Sequence, residues 1–349
     1  MTLLSVYLDE VGLFKYIANL AVKKAGHSQI KLFVYLYIFI SILTVFTSND
    51  IIILTFTPFI CYFSKNTKIN PIPFLVTEFI AANTWSLMFL IGNPTNIYIG
   101  SKFNIDFLFY LKNMFFPTLT AGITSFIILF LIFKKQLKKP IESFNLDKVV
   151  FDKPLLIIGL FHLCSCTILL ILSAYIDFEM WLITLFFALS LIICTLIYKL
   201  ISKKYIFVYN TIRRIPYELI PFVLSMFTIV LCLKQNNITN TISNLINNNY
   251  ILYIITSFFG ANLLNNIPMS VLFSEILTTS TISLKCVFGV ILCSNLGAIL
   301  TPIGALAGIM WMNLLKKYKV NYSFLTFMKY GFVISIPTLI LSSLVLFII

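Results

Sequence analysis

The chain has 349 residues, of which 60% are hydrophobic and 11% are charged, and its mean hydropathy is +0.99. Soluble domains carry about a quarter charged residues, so this composition excludes an ordinary soluble enzyme. The net charge of +13 would suit a nucleic-acid partner, but the basic residues lie in short loops between apolar runs, as the positive-inside rule describes. We therefore expect an all-α polytopic membrane protein in contact with the lipid bilayer and without a nucleic-acid partner.

Five apolar runs are nearly free of charge and long enough to cross a hydrocarbon core about 30 Å thick as helices. These predicted spans cover residues 114–133, 154–174, 180–198, 216–233 and 323–349.

Two further apolar segments, 32–64 and 250–280, are each interrupted half-way by polar residues. The interruptions are Ser48, Asn49 and Asp50 in the first segment and Asn265, Asn266 and Pro268 in the second. Polar groups and proline at mid-membrane break a helix unless other protein satisfies the freed backbone. Both segments are therefore predicted to be re-entrant hairpins whose tips lie near the middle of the membrane.

Segments 72–100 and 285–315 are too long for one straight crossing, and each holds an internal Asn followed by a turn with Gly and Pro. They are predicted to be broken transmembrane helices. Their motifs match: Ala82-Asn83 is followed by eight residues and Gly92, and Ser294-Asn295 by eight residues and Gly304.

The lysine clusters predict the orientation. If the hairpins return to their starting side, the basic loops all face the cytoplasm, the first hairpin opens inward and the second outward, and the C-terminus lies outside the plasma membrane.

This topology predicts an inverted-topology repeat. Residues 1–133 form the first copy, 134–153 a cytoplasmic linker, and 154–349 the second copy, each copy with an interfacial helix, a hairpin, a broken helix and a closing span. The second copy also has three spans before its interfacial helix, whereas the first has only residues 1–8 there. The first repeat is therefore expected to be incomplete at its N-terminus, through either a truncated sequence or a degenerate copy.

Inverted repeats with discontinuous helices are typical of secondary transporters, which bind substrate and coupling ions between the repeats. Backbone amides at half-helix N-termini favour anions, while Asn and Thr oxygens suit a hard cation such as Na⁺. The candidate substrate- and ion-binding residues are Ser48, Asn49 and Asp50, then Asn83, Thr84, Gly92, Asn93, Thr95 and Asn96, and in the second half Asn265, Asn266, Asn295, Thr301, Pro302 and Gly304.

Asp50 is the sharpest of these candidates, because a carboxylate at mid-membrane is costly and usually marks an ion or proton site. Glu78 and Glu275 are alternative proton relays or helix-end residues. No Lys or Arg falls in the tips or breaks, so an anion would be met by amides, hydroxyls or a bound cation, and a neutral polyhydroxyl solute would fit equally well.

The sequence contains no phosphate loop, catalytic triad or zinc cluster, which indicates a transporter and not an enzyme. No cofactor is expected. The driving force is then an Na⁺ or proton gradient, or a separate cytoplasmic ATPase subunit.

Five stretches in this order resemble the ion-transporter superfamily: SNDIIILTFTP at 48–58, ANTWSLMFLIGNPTNI at 82–97, IPYELIPFVLSMF at 215–227, NLLNNIPM at 262–269 and SNLGAILTPIGALAGIMW at 294–311. They look most similar to arsenite-efflux permeases of the ArsB type, and more distantly to divalent anion:sodium symporters, citrate transporters and NhaD-type antiporters. The carboxylate symporters carry Ser-Asn-Thr at both tips, whereas this chain has Ser-Asn-Asp and Asn-Asn-Ile.

The resemblance implies a homodimer and elevator-type alternating access. It also implies possible Na⁺ sites, the first with Ser48, Asn49, Gly92, Asn93 and Asn96, and the second with Asn265, Asn266, Thr301 and Gly304. The expected function is ion-coupled transport of a small inorganic anion or metalloid, of the arsenite or antimonite efflux kind. An Na⁺-coupled di- or tricarboxylate or sulfate importer is the alternative, and an inactive or partial permease is the second alternative.

Overall fold

The computed structural model describes residues 2–141, 152–176, 178–202, 208–214, 217, 219–278 and 283–349. Half of the predicted 134–153 linker, residues 142–151, and positions 216 and 218 of the predicted span 216–233 lie outside these ranges. Within them the chain is helical apart from turns and an isolated bridge between Ser28 and Pro140. Five helices are long and apolar enough to cross a membrane, which confirms the all-α polytopic class.

The first half contains seven α-helices. They are α1 (Thr2–Glu10), α2 (Leu13–Ala25), α3 (Gln29–Phe46), α4 (Asn49–Asn66), α5 (Ile72–Trp85), α6 (Pro94–Lys102) and α7 (Phe107–Phe133). The described residues of the second half form ten. They are α8 (Lys153–Ile176), α9 (Met180–Ser202), α10 (Val208–Arg213), α11 (Leu219–Gln235), α12 (Ile238–Ile246), α13 (Tyr250–Leu264), α14 (Asn266–Thr278), α15 (Leu284–Leu296), α16 (Leu306–Lys317) and α17 (Phe324–Ile348).

The five helices that meet the length and apolarity criteria for a membrane span are α3, α7, α8, α9 and α17. Helix α7 begins at Phe107, earlier than the predicted 114, because the Asp106 side chain caps it by accepting a hydrogen bond from the Phe109 amide at 2.7 Å. Helix α3, predicted as one arm of a hairpin, is by itself long enough to cross. The re-entrant geometry therefore stays a prediction.

The two halves share an order of elements after α1 and α11. In each, a short helix (α2 or α12) precedes a pair of helices joined by a polar connection (α3–α4 or α13–α14). A broken helix (α5–α6 or α15–α16) and a long helix (α7 or α17) follow. The inverted relation between the halves, and the repeat boundaries, stay predictions.

The core lies where the broken helices pack against α7 and α17. Small residues allow close approach there, as between helices in membranes. A Cβ atom at Gly122 of α7 would stand 2.5 Å from the Trp85 ring, and one at Gly331 of α17 would collide with the Ile299 backbone oxygen. Each long helix thus presents a glycine to a helix break and holds that break in place.

Candidate functional site

The α3–α4 connection forms the first tip. Ser48 precedes the first turn of α4, and the buried Asn49 opens it. The Asn49 Nδ2 atom donates to Oδ1 of Asn83 at 3.1 Å, and its Oδ1 accepts from the Asp50 amide at 3.0 Å. The tip is therefore fastened to α5 through two amide side chains, and the half-buried Asp50 lies beside it.

The first break lies between α5 and α6 and is closed by a 3₁₀ turn at Leu90–Gly92. A Cβ atom at Gly92 would collide with the backbone oxygen of Ser86, so only glycine fits. Asn93 caps α6 by accepting from the Thr95 amide at 3.1 Å, and Asn96 Nδ2 donates to the Ser86 oxygen at 2.9 Å. The chain can leave the helix here because side chains satisfy the freed backbone groups.

The second tip is the α13–α14 connection, where Asn265 has a positive φ of 80°. Its Nδ2 atom donates to the Ile303 backbone oxygen at 3.1 Å, and Asn266 Nδ2 donates to the Ser294 backbone oxygen at 3.2 Å. Like the first tip, the second is thus fastened to the broken helix that follows it.

The second break contains two 3₁₀ turns, Gly297–Ile299 and Pro302–Gly304. Thr301 Oγ1 donates to Asn262 Oδ1 at 2.8 Å. A Cβ atom at Gly304 would stand 2.9 Å from that same oxygen. Asn262 of α13 therefore packs directly against the break.

The two breaks are joined by hydrogen bonds around the fully buried Asn295. Its Oδ1 accepts from Ser86 Oγ and from Asn93 Nδ2, each at 2.9 Å, and its Nδ2 donates to Asn96 Oδ1 at 2.7 Å. The Thr95 and Ser294 hydroxyls meet at 3.0 Å. One buried side chain thus connects three residues of the opposite break.

The structure shows what the residues of the two implied Na⁺ sets contact, and the sets themselves stay predictions. Asn49 contacts Asn83, whereas Asn93 and Asn96 contact Asn295; Ser48 lies on a cavity wall. The Thr84 hydroxyl is buried, and no residue in the described ranges hydrogen-bonds to it. In the second set, Thr301 and Gly304 share Asn262, while Asn265 and Asn266 bond to backbone oxygens.

Three polar residues in these contacts are absent from the candidate set: Ser86, Asn262 and Ser294. The signal for Asn262 was available, since it is a further Asn about one helical turn before Asn265 and Asn266 of the second tip. No sequence pattern pointed to Ser86, because its hydrogen bonds depend on the course of the backbone through the first break.

A cavity of about 250 Å³ lies beside the first tip. Ser48 and Asp50 line it together with Ile91 and Pro94 of the first break and Trp181 of α9. Most of the exposed wall is apolar, and its charged lining residues are Asp50, Glu179 and Arg214; a mainly apolar wall with placed polar groups is typical of small-molecule sites.

Arg214 also lines this cavity, although the sequence assigned it to a basic loop. Its Nη2 atom is 2.7 Å from Asp9 Oδ2 and its Nη1 atom 2.5 Å from Glu10 Oε1. Two carboxylates therefore neutralise this guanidinium. The cavity offers no uncompensated positive charge from Arg214.

The two alternative proton relays lie apart from the tips. Glu78 is fully buried where α4, α5 and α16 meet, and Thr57 Oγ1 donates to it from 2.8 Å. Glu275 of α14 contacts Lys102 Nζ at 2.6 Å and Lys234 Nζ at 2.7 Å.

The family model described as CitMHS, citrate transporter, matches residues 1–287. The chain belongs to the CitMHS family. It is 24% identical over 363 residues to an arsenical pump membrane protein of Escherichia coli strain K12, covering 97% of this chain and 82% of that relative. A putative arsenical pump membrane protein of Bacillus subtilis is 22% identical and covers 98% of this chain and 84% of the relative.

The match to a putative transporter of Dictyostelium discoideum is shorter, at 27% identity over 42% of this chain and 26% of the relative. These findings confirm the predicted resemblance. As a member of the CitMHS family, the chain is a membrane transporter of the anion-permease type and not an enzyme.

Proposed function

We propose that the chain is a secondary transporter that moves a small hydroxylated inorganic solute, of the arsenite or antimonite kind, across the plasma membrane. Two observations carry this proposal: the junction of both breaks at Asn295, and a cavity lined by Asp50 and by Pro94, which follows Asn93 of that junction in the chain. Amides and hydroxyls both donate and accept hydrogen bonds, which suits a solute that carries several hydroxyl groups.

Charge favours such a solute over a tricarboxylate. A multiply charged anion needs cations when it leaves water, since an unpaired buried charge is costly. Arg214 is the cation that lines the cavity in the described part of the chain, and Asp9 and Glu10 already pair with it. The curated relatives named arsenical pump membrane proteins support the same choice.

We further propose that a gradient of Na⁺ or protons drives transport and that Asp50 binds the coupling ion. In this scheme the protein is a homodimer that works as an elevator. The helix pairs α3–α4 and α13–α14 move together with the broken helices α5–α6 and α15–α16, against static helices α8, α9 and α11. A cytoplasmic ATPase subunit is an alternative source of energy. Efflux is the proposed direction, with the basic loops in the cytoplasm and the C-terminus outside.

An Na⁺-coupled importer of citrate, a related carboxylate or sulfate is the second candidate. The description of the matching family model, citrate transporter, favours it. In that case the charge of the substrate would have to be met by bound Na⁺ and by the N-termini of α4 and α16.

The test is radiotracer transport in proteoliposomes with arsenite, citrate or sulfate under imposed Na⁺ or proton gradients. We expect gradient-driven arsenite movement in the wild type and a loss of at least tenfold in Asp50→Asn. Asp106→Asn is the matched control, because it makes the same chemical change at the cap of α7, where Asn still accepts a hydrogen bond.

Movement of citrate or sulfate driven by Na⁺, with no movement of arsenite, would establish the importer instead. If Asp50→Asn transports arsenite at the rate of Asp106→Asn, Asp50 is not the coupling residue.

A further inference from the structure

Glu78 of α5 is a buried carboxyl group that the proposed transport site does not use. Its side chain is fully buried, and none of the described Lys, Arg and His residues forms an ion pair with it. An ionised carboxylate in such surroundings is costly, because neither water nor a counter-charge stabilises it. The group is therefore neutral in the conformation that the structure shows, which means that it holds a proton.

Two side chains from different helices contact this carboxyl group. The Thr57 Oγ1 atom of α4 lies 2.8 Å from Oε1 and 3.0 Å from Oε2 of Glu78. Trp311 of α16 donates from Nε1 to Oε2 at 3.4 Å. A hydroxyl group both donates and accepts hydrogen bonds, whereas the indole N–H only donates. Thr57 can therefore donate to an ionised Glu78 and can also accept from the O–H group of a protonated one.

Glu78 lies close behind the wall of the cavity beside the first tip. Leu54 of α4 and Met310 of α16 line that cavity. Thr57 follows Leu54 by three residues, and Trp311 is the next residue after Met310. Both partners of the carboxyl group are therefore within about one helical turn of the cavity wall along their helices.

The other titratable groups around Glu78 do not provide a charge beside it. Glu78 is the one titratable residue of α5, and Cys61 of α4 is the neighbour that interacts with it electrostatically. A thiol buried in apolar surroundings is uncharged at neutral pH. On the neighbouring segments, the remaining groups bond to backbone oxygens (Tyr37, Tyr110, Cys293), pack on the Trp311 ring or on each other (Tyr322, Tyr330), or are exposed (Lys65, Lys316, Lys317, Lys329). The charge of Glu78 then depends on its own access to water.

We propose that Glu78 is a proton-binding site that exchanges its proton with the cavity when α4 and α16 move apart. The O–H bond of the carboxyl group then breaks, the proton passes to a water molecule in the cavity, and the carboxylate remains until it is protonated again. Helix α4 begins at the first tip and α16 begins at the second break, so this step links a buried charge to the arrangement of both. For its role the inference rests on the proposed transport function, where it makes the proton a coupling ion.

Infrared spectroscopy of the full chain in lipid vesicles tests the proton site without any transport. At neutral pH we expect a C=O stretching band of a protonated carboxyl group that is absent from Glu78→Gln. After transfer into D₂O this band should move to lower frequency, because the proton exchanges. The matched control Asp106→Asn changes a carboxylate at the cap of α7 and should retain the band.

Thr57→Val keeps the shape of the side chain and removes the hydroxyl group next to Glu78. The carbonyl of the protonated carboxyl group then loses a hydrogen-bond donor, so its band should move to higher frequency. An unchanged band frequency in this variant would contradict the role of Thr57 in holding the proton site.

Arsenite transport in proteoliposomes tests the use of the proton. In Glu78→Gln, transport driven by a proton gradient should fall by about tenfold, because the amide cannot release a proton. Exchange of labelled for unlabelled arsenite should stay within about twofold of the wild-type rate, since exchange needs no net movement of protons.

The two experiments separate this inference from the proposed function. An exchanging Glu78 band without arsenite transport in the wild type would support the proton site and contradict the proposed function. Three results would overturn the inference while arsenite transport in the wild type stands. They are the absence of the band, a band that D₂O does not shift, and a Glu78→Gln variant as active as Asp106→Asn under a proton gradient.

Discussion

Asn295 makes more side-chain hydrogen bonds to the opposite break than Asn83, the residue at the same place in the matching sequence motif. Its counterpart Asn83 bonds to Asn49 of the preceding tip, whereas Asn295 reaches Ser86, Asn93 and Asn96 of the other break. We expect Asn295→Ala to lower the free energy of unfolding by about 2 kcal/mol, because three buried polar groups lose a partner at once. Thermal or denaturant unfolding in detergent measures this change.

Asn113→Ala is the matched control for this substitution. Asn113 is on α7, and its partly exposed side chain donates to the Phe109 backbone oxygen at 2.8 Å, its one side-chain hydrogen bond within the described residues. Its removal should change the unfolding free energy by less than about 0.5 kcal/mol. Equal effects of the two substitutions would mean that the Asn295 contacts do not hold the breaks together.

The first break requires glycine at position 92, whereas a helix interior accepts residues with a Cβ atom. A Cβ atom at Gly92 would meet the backbone oxygen of Ser86, and backbone cannot move aside as a flexible side chain can. We expect Gly92→Ala to destabilise the protein by about 1–3 kcal/mol and to abolish solute transport, because the 3₁₀ turn has to open. Unfolding and proteoliposome transport measured on the same preparation check both effects.

Gly260→Ala tests whether a Gly-to-Ala change elsewhere also lowers stability and abolishes transport. Gly260 lies inside α13, and the nearest atoms to an added Cβ are side-chain atoms of Met269 and Phe273, each at 3.3 Å. Alanine favours the helix by about 1 kcal/mol, so this variant should retain both stability and transport. If Gly260→Ala loses transport to the same degree, the geometry of the first break is not what limits function.

The positions of the interruptions were predictable from the sequence because proline, glycine and runs of Asn stand out in apolar segments. The structure places helix ends at Phe46, Trp85, Leu264 and Leu296, within or next to the predicted tips and breaks. The partners of each amide were not predictable, since two Asn residues in equivalent motifs bond to different elements. Arg214 was missed for a related reason: its ion pairs with Asp9 and Glu10 bring a loop residue to the cavity.

Glu275 forms ion pairs with two helices that the elevator proposal assigns to different parts of the molecule. It is on α14 and contacts Lys102 of α6, which belongs to the proposed moving part, and Lys234 of α11, which belongs to the proposed static part. The two ion pairs have nearly equal lengths and share one carboxylate. They therefore allow a comparison of two lysines that pair with the same carboxylate from different helices, Lys102 being 35% and Lys234 51% exposed.

Lys234→Gln should change the transport rate without changing the apparent affinity for the solute. A partly exposed ion pair contributes about 0.2–1 kcal/mol, so removing one that stabilises a single state of the elevator changes the rate by up to about fivefold. Lys102→Gln removes the same charge from the same partner within the moving part, and should lower stability while leaving the rate nearly unchanged. Initial rates over a range of solute concentrations measure both variants. Equal rates for the two would mean that α11 and α14 do not move relative to each other during transport, and the elevator assignment of α11 would be wrong.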